Sequence, residues 1–429
     1  MGTIDDLLSG RRAAADGSPL ALPTRSVMIK PSLIGAEADA IRALGMTGPI
    51  AVVSDPDTHR VLGGRVEAAL RNLGPIIPVH LSAHPHADMA MAEGVAEAAS
   101  GAKSIVAVGS GTINDLCKYV AAKHDIECAV FTTAPSMNGY TSVNSAITVD
   151  GHKKSLPTVA PVGVFMDLKV LSEAPERMIR SGLGDSVCRA TVQADWLMAH
   201  IVNGSAYDAT PFELLAPEEG ALFENAAALL KGDLDVMGGL ARTLTLSGMG
   251  MTICGGSFPA SQGEHLISHY IEMMAPADTP ASFHGEQIGV ATLVMARLQE
   301  RLLGGGKPRV SATTVSEADV LEHFGPAIGP ACWQEFAKKR LDTAAAAQMN
   351  DRLADCWTDI VERVGAVCIS STAVEAALKV AGAPTRYDDI GLERDFFRQA
   401  VLYARTIRNR YTFLDLAADS GLLDAETLI

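Results

Sequence analysis

The chain has no Cys-x-x-Cys pair, no uninterrupted apolar run of membrane-spanning length, no internal repeat and no surplus of positive charge. Each absence removes a class of protein. The seven cysteines, at positions 117, 128, 188, 254, 332, 356 and 368, are dispersed and odd in number, so they read as reduced thiols rather than a disulfide framework. The first 25 residues carry Asp5 and Asp6 and lack an apolar h-region, which reads as neither a signal peptide nor an anchor. The most apolar stretches are broken by Gly, Pro or charge, so no membrane partner is expected. A formal net charge of −15 argues against nucleic acid and anionic membranes, because both need net basic surfaces; a local basic pocket stays open. The expectation is a cytoplasmic protein.

At 429 residues the chain exceeds one typical core, and 48% hydrophobic against 20% charged residues fits a well-packed globular protein. Short apolar runs alternate with amphipathic ones through the first third. Strands are expected at 26–29, 49–55, 76–81, 104–108 and 128–133, and helices at 37–44, 58–73, 88–99 and 113–123. That alternation calls for a parallel sheet covered by helices. Asp150-Gly151 predicts a two-residue hairpin and hence an antiparallel ribbon. Beyond about residue 175, Ala- and Leu-rich helical stretches take over, for example 185–202, 216–231 and 240–254. The fold expected is an α/β, Rossmann-like N-terminal domain over 1–179, followed by an all-α domain over 180–429.

Several residues carry candidate chemistry. Gly109-Ser110-Gly111-Thr112 lies where a strand should enter a helix, so backbone N–H groups and the helix dipole can cradle a pyrophosphate. Its spacing is not Gly-x-Gly-x-x-Gly, and glycine for turn geometry alone is the competing reading. Asp55, ending the second strand, can bond a ribose hydroxyl or simply cap the next helix. The hydroxyl-rich segment from Thr132 to Ser142 follows a strand, where open α/β sheets place ligands; an ordinary polar turn is the alternative. His265 and His269 share one helical face, and His284 opens another helix. Asp185 reads as the start of a long helix, either as a cap or as a ligand. Together, Asp185, His265 and His284 are a carboxylate and two imidazoles, a set that takes zinc-like metals and leaves a coordination position open.

Taken in order, five words and a C-terminal run resemble one family. They are Gly109 to Asp115, Thr133 to Ser142, Gly184-Asp185, Gly263-Glu264-His265 with His269, His284-Gly285-Glu286, and Arg408 to Leu416. The chain resembles the glycerol-1-phosphate dehydrogenases, within the wider group of iron-containing alcohol dehydrogenases, glycerol dehydrogenases and dehydroquinate synthases. The resemblance spans roughly residues 25 to 425. It implies NAD or NADP held by Gly109, Ser110, Gly111, Thr112 and Ile113, by Thr133, Ala134, Pro135 and Ser136, and by Ser142. It implies one divalent metal, zinc first with nickel or iron as alternatives, on Asp185, His265 and His284. His269 would face the substrate, and His269 or a bound water would supply the proton.

The reaction implied is reversible reduction of dihydroxyacetone phosphate to sn-glycerol 1-phosphate. The substrate is thus a small polyol phosphate, whose phosphate needs cations; Lys153-Lys154 and the Arg408/Arg410 pair are candidates. Asn138 stands where the family pattern has an aspartate that contacts substrate, and Phe258 stands where a basic residue is expected. Competing readings are a sibling acting on an unphosphorylated polyol, a dehydroquinate-synthase-like lyase, and a non-catalytic binding relative. A homo-oligomer stays open.

Overall fold

The computed structural model describes residues 2–13, 17, 20, 22–149 and 152–429, the side chains of 152 and 153 excepted. The chain divides into two compact units, Met1–Ser186 with Ala209–Ser257, and Val187–Asp208 with Phe258–Ile429. A single crossing near residue 180 is thus replaced by three. The physical reason lies in the 209–257 segment, whose Leu214, Leu215, Leu246 and Met249 are buried with Ile4 and Leu7 in one apolar cluster.

The first unit holds β1 (Ser26–Lys30), β2 (Ile50–Ser54), β3 (Ile76–His80), β4 (Ser104–Gly109), β5 (Glu127–Thr132), β6 (Asn144–Val149), β7 (His152–Pro157) and β8 (Gly163–Asp167). Six of them form a parallel sheet in the order β1-β8-β5-β4-β2-β3. Every residue of β2, β4 and β8 is buried, as a sheet covered on both faces requires, and their Val, Ile, Ala and Phe content suits that place. β8 was not among the strands expected from sequence. β6 and β7 pair antiparallel, with Val149 opposite His152; the Asp150-Gly151 turn itself lies outside the described residues.

Sheet order fixes where a ligand belongs. From β2 the chain steps outward to β3, then returns to place β4 on the other side of β2. The carboxyl ends of β2 and β4 therefore flank a topological switch point, where open α/β sheets bind ligands.

The second unit is helical, and all strands among the described residues lie between 26 and 167. Its core gathers Met198, Ile267, Val294, Leu298, Phe336, Leu353 and Phe413, all buried. Each such side chain contributes about 1.5–3 kcal/mol relative to an exposed position. No helix among the described residues is long and apolar enough to cross a membrane.

Candidate active site

The glycine turn forms as expected. β4 ends at Gly109, and the Gly111–His124 helix begins after Ser110, whose extended backbone provides no side-chain cap. The first N–H groups of that 14-residue helix are thus left uncapped by Ser110, and Ser110, Gly111 and Thr112 are only half-buried. Packing requires the first glycine and crowds the second. A Cβ on Gly109 would stand 2.6 Å from Ile113 Cδ1, and one on Gly111 3.0 Å from Met137 Sδ. This turn therefore fits a phosphate cradle, and it lies at the switch point. Asp55 follows β2 on the other side of that point, but its carboxylate accepts from Thr58 N–H at 2.8 Å. Capping is the role visible there.

The Thr133–Ser136 segment is held against the end of β4, with Thr133 N–H donating to Gly109 O at 3.2 Å. Tyr140 hydroxyl donates to Ala134 O at 2.6 Å, and Ser181 hydroxyl to Ser136 O at 3.2 Å. Gly182 decides the approach of the next helix, because a Cβ there would fall 1.6 Å from Pro135 O. This also corrects the place of Asp185. It lies in the last turn of the Glu176–Ser186 helix and does not open a longer one. Gly182 and Gly184 both lie inside this helix. Asp185 is fully buried and is gripped by Asn138, whose backbone N–H reaches Oδ2 at 2.7 Å and whose Nδ2 reaches Oδ1 at 3.4 Å. An amide at position 138 therefore donates to the carboxylate, which an aspartate side chain could not do when ionised.

Ser142 is buried within this unit. Its hydroxyl accepts from Lys118 Nζ at 3.1 Å and sits within hydrogen-bond reach of Gly139 O and Asn144 O. Lys118, which sequence reasoning passed over, is wholly buried and also donates to Gly139 O at 3.2 Å and to Asn144 O. Burial lowers its pKa, and Asp115, 3.5 Å away, opposes that shift. The Asp115–Lys118 spacing was the available signal: three apart on one helix face.

In the second unit, the Gly263–Met274 helix carries His265 and His269, and His284 is the first residue of the His284–Gly304 helix. The three imidazoles cluster, with His265 5.2 Å from His284 and 6.1 Å from His269 between ring centroids. Each has a carboxylate at Nδ1. Glu264 Oε1 lies 2.8 Å from His265, Glu272 Oε2 lies 3.2 Å from His269, and Glu272 Oε1 lies 3.3 Å from His284. Carboxylates that take one ring nitrogen fix the tautomer and leave Nε2 for a metal or substrate. The donor set fits a divalent metal. Glu264 and Glu272, which sequence reasoning did not assign, are the second layer such ligands need. Burial, followed by the Arg408 charge, pushes His269 down to about 3, so this imidazole is held neutral.

Beside the histidines stand Arg408 and Arg410. Burial lowers both, and Arg410, pressed further by Arg408, falls to about 9. The Arg410 guanidinium lies 4.5 Å over the Phe258 ring, which stacks on Trp196 at 5.8 Å. Phe258 thus supports a cation where a basic side chain was expected. Lys154, by contrast, is exposed on β7, and the Lys153 side chain lies outside the described residues.

Comparison with known proteins matches this set of features. The profile of iron-containing alcohol dehydrogenases matches residues 28–175. Glycerol-1-phosphate dehydrogenase (NAD(P)+) of Thermococcus kodakarensis is 32% identical over 64% of this chain and 77% of its own. The chain belongs to the glycerol-1-phosphate dehydrogenase family. The family member of Bacillus velezensis is 29% identical over 88% of this chain and 87% of its own. Among solved structures, the NADH-dependent butanol dehydrogenase A of Thermotoga maritima superposes with a TM-score of 0.58 at 14% identity, covering 97% of this chain and 98% of that one. The glycerol dehydrogenase of Schizosaccharomyces pombe gives 0.54 at 16% identity, covering 87% and 95%. These likenesses show that the family fold extends over nearly the whole chain.

Proposed function

We propose that this family member is a metal-dependent oxidoreductase that interconverts dihydroxyacetone phosphate and sn-glycerol 1-phosphate with NAD(H) or NADP(H). One observation carries the substrate class: Arg408 and Arg410 stand half-buried together beside His269, and desolvation disfavours the charge of both more than the nearby carboxylates, Glu272 and Glu264 among them, favour it. A phosphate dianion relieves that cost through charge-assisted hydrogen bonds. Asp185, His265 and His284, a carboxylate and two imidazoles, would hold the metal, zinc first, with nickel or iron as alternatives. The dinucleotide would be held by Gly109 to Ile113, by Thr133 to Ser136 and by Ser142, with the second carboxylate oxygen of Asp55, whose Oδ1 caps Thr58, left for its ribose.

When bound, the metal supplies Lewis acidity toward the carbonyl oxygen and the dinucleotide carries the hydride. Glu264 orients His265, Glu272 orients His284 and His269, and Asn138 orients Asp185. His269 Nδ1 faces Glu272, so its neutral Nε2 can accept a hydrogen bond from the substrate hydroxyl and position it without being protonated. Because burial disfavours an imidazolium at His269, water takes the hydroxyl proton during oxidation and returns it during reduction. The seven cysteines are all free, which supports a cytoplasmic setting.

Steady-state NADH oxidation with dihydroxyacetone phosphate and with dihydroxyacetone tests this reading. Wild type should prefer the phosphorylated ketone, and Arg410→Met should lower kcat/KM for it about 10- to 100-fold while leaving the unphosphorylated ketone little changed. Equal turnover of both ketones by wild type contradicts it.

A further inference from the structure

A second group of metal-ligand side chains lies in the first unit, on elements that the proposed catalytic residues do not use. His59 belongs to the helical turn after β2, Glu67 to the Gly64–Leu70 helix, and His80 ends β3. Glu67 Oε1 is 2.8 Å from His80 Nε2 and 3.4 Å from His59 Nδ1. The two rings meet edge to face at 4.6 Å, and one ligand atom from each residue lies within 4.8 Å of the others.

Local structure is shaped around this group. The Glu67 side chain is 5% exposed, whereas those of His59 and His80 are 36% and 53% exposed, so the carboxylate is presented from below to two solvent-reachable imidazoles. Residues His59–Gly63 are wound as a π-helix, which places His59 on a widened turn after β2. Gly63 leaves room for the His59 ring: a Cβ there would lie 3.3 Å from His59 Nδ1 and 3.2 Å from Ser54 Cβ. Ser54, the register partner of His80, brings its hydroxyl to 3.4 Å from His59 Nδ1. Arg71 takes the other carboxylate oxygen, Oε2, at 3.3 Å, leaving Oε1 toward the imidazoles. A fixed carboxylate with two imidazoles is the donor set that binds zinc-class ions with an open position, and a partner on the second oxygen orients it.

We propose that His59, Glu67 and His80 form a second site for a divalent, zinc-class metal at the carboxyl ends of β2 and β3. A cation there ties together the turn that follows Asp55, the Glu67 helix and the end of β3. The competing account is a closed hydrogen-bond network in which both rings donate to Glu67 Oε1.

The test uses tag-free full-length protein, stripped with chelator and titrated with Co2+, read by visible absorption and elemental analysis. Wild type should take up about two equivalents and the His59→Ala/His80→Ala variant about one, with the remaining equivalent still supporting turnover. His80→Gln, which keeps a polar group on Glu67, should weaken only the second equivalent. If the catalytic reading fails instead, uptake drops from about one equivalent to none in the same variant. Identical stoichiometry and affinity in wild type and both variants overturns the proposal in favour of the hydrogen-bond network.

Discussion

Replacing Glu264 separates what the second layer of the metal site does from what merely holds the fold. Glu264 is fully buried, and its Oε1 accepts from both His265 Nδ1 and Gln262 N–H at 2.8 Å, while Oε2 accepts from the Thr191 hydroxyl at 3.2 Å. In Glu264→Gln the remaining oxygen still serves His265 and Gln262, and the new amide can donate to Thr191, whose hydroxyl reverses. Little stability should be lost, about 1 kcal/mol. The imidazole nevertheless loses its anionic partner, so zinc affinity should fall about 10- to 100-fold, or about 1.4–2.7 kcal/mol. Glu264→Ala instead strands two buried donors at about 1–3 kcal/mol each, so the metal-free chain itself should be weakened. Zinc competition against a chromophoric chelator and thermal melts of metal-free protein read the two quantities apart. Wild-type zinc affinity in the Gln variant would refute the reasoning.

Three further outcomes follow from buried groups. Lys118→Met removes the cation that ties Gly139, Ser142 and Asn144 and the positive charge 3.5 Å from Asp115, which keeps the Ala146 N–H; urea unfolding should show a loss of about 3 kcal/mol, and unchanged stability contradicts this. Gly182→Ala forces a methyl onto Pro135 O, 1.6 Å away before relaxation, so it should cost about 3 kcal/mol or more and weaken NADH binding in a fluorescence titration. A wild-type melting temperature would show that the helix slides freely. Burial, then Glu264, raises Asp195 to about 8 from an ordinary 3.8. A carboxyl raised on folding contributes stability that is full below its unfolded pKa and lost as pH rises through its folded one. The advantage of metal-free wild type over Asp195→Asn should therefore shrink between about pH 4 and about pH 8; an advantage constant over that range contradicts the shift.

The strands and helices of the first half were legible because buried parallel strands read as short apolar runs and surface helices as periodic ones. β8 escaped because Gly163-Val164-Phe165-Met166-Asp167 follows a loop and offers no helix partner before it. The return of residues 209–257 to the first unit was not legible, since helical periodicity shows an apolar face and not which core buries it. Asp185 shows the same limit in miniature: it read as the start of a long helix, whereas it closes the Glu176–Ser186 helix, whose Gly182 packs on the Pro135 carbonyl. Imidazole and carboxylate spacing exposed His265, His269 and His284. Their partners Glu264 and Glu272 were hidden in plain sight, because an acid beside a histidine is common on any helix surface and only burial gives it meaning. Phe258 looked like a loss of charge; with Arg410 stacked on it, it is a support for one.

The proposed reaction is metal-dependent reduction of dihydroxyacetone phosphate, with Asp185, His265 and His284 as the ligands the metal would take. Its most direct test is NADH consumption by chelator-stripped protein reloaded with zinc or nickel, coupled to stereochemical analysis of the product. Metal-restored consumption with formation of sn-glycerol 1-phosphate, absent in His265→Ala, is the predicted result. Protein that binds both metal and NADH yet consumes none of the nucleotide with this ketone would contradict the account.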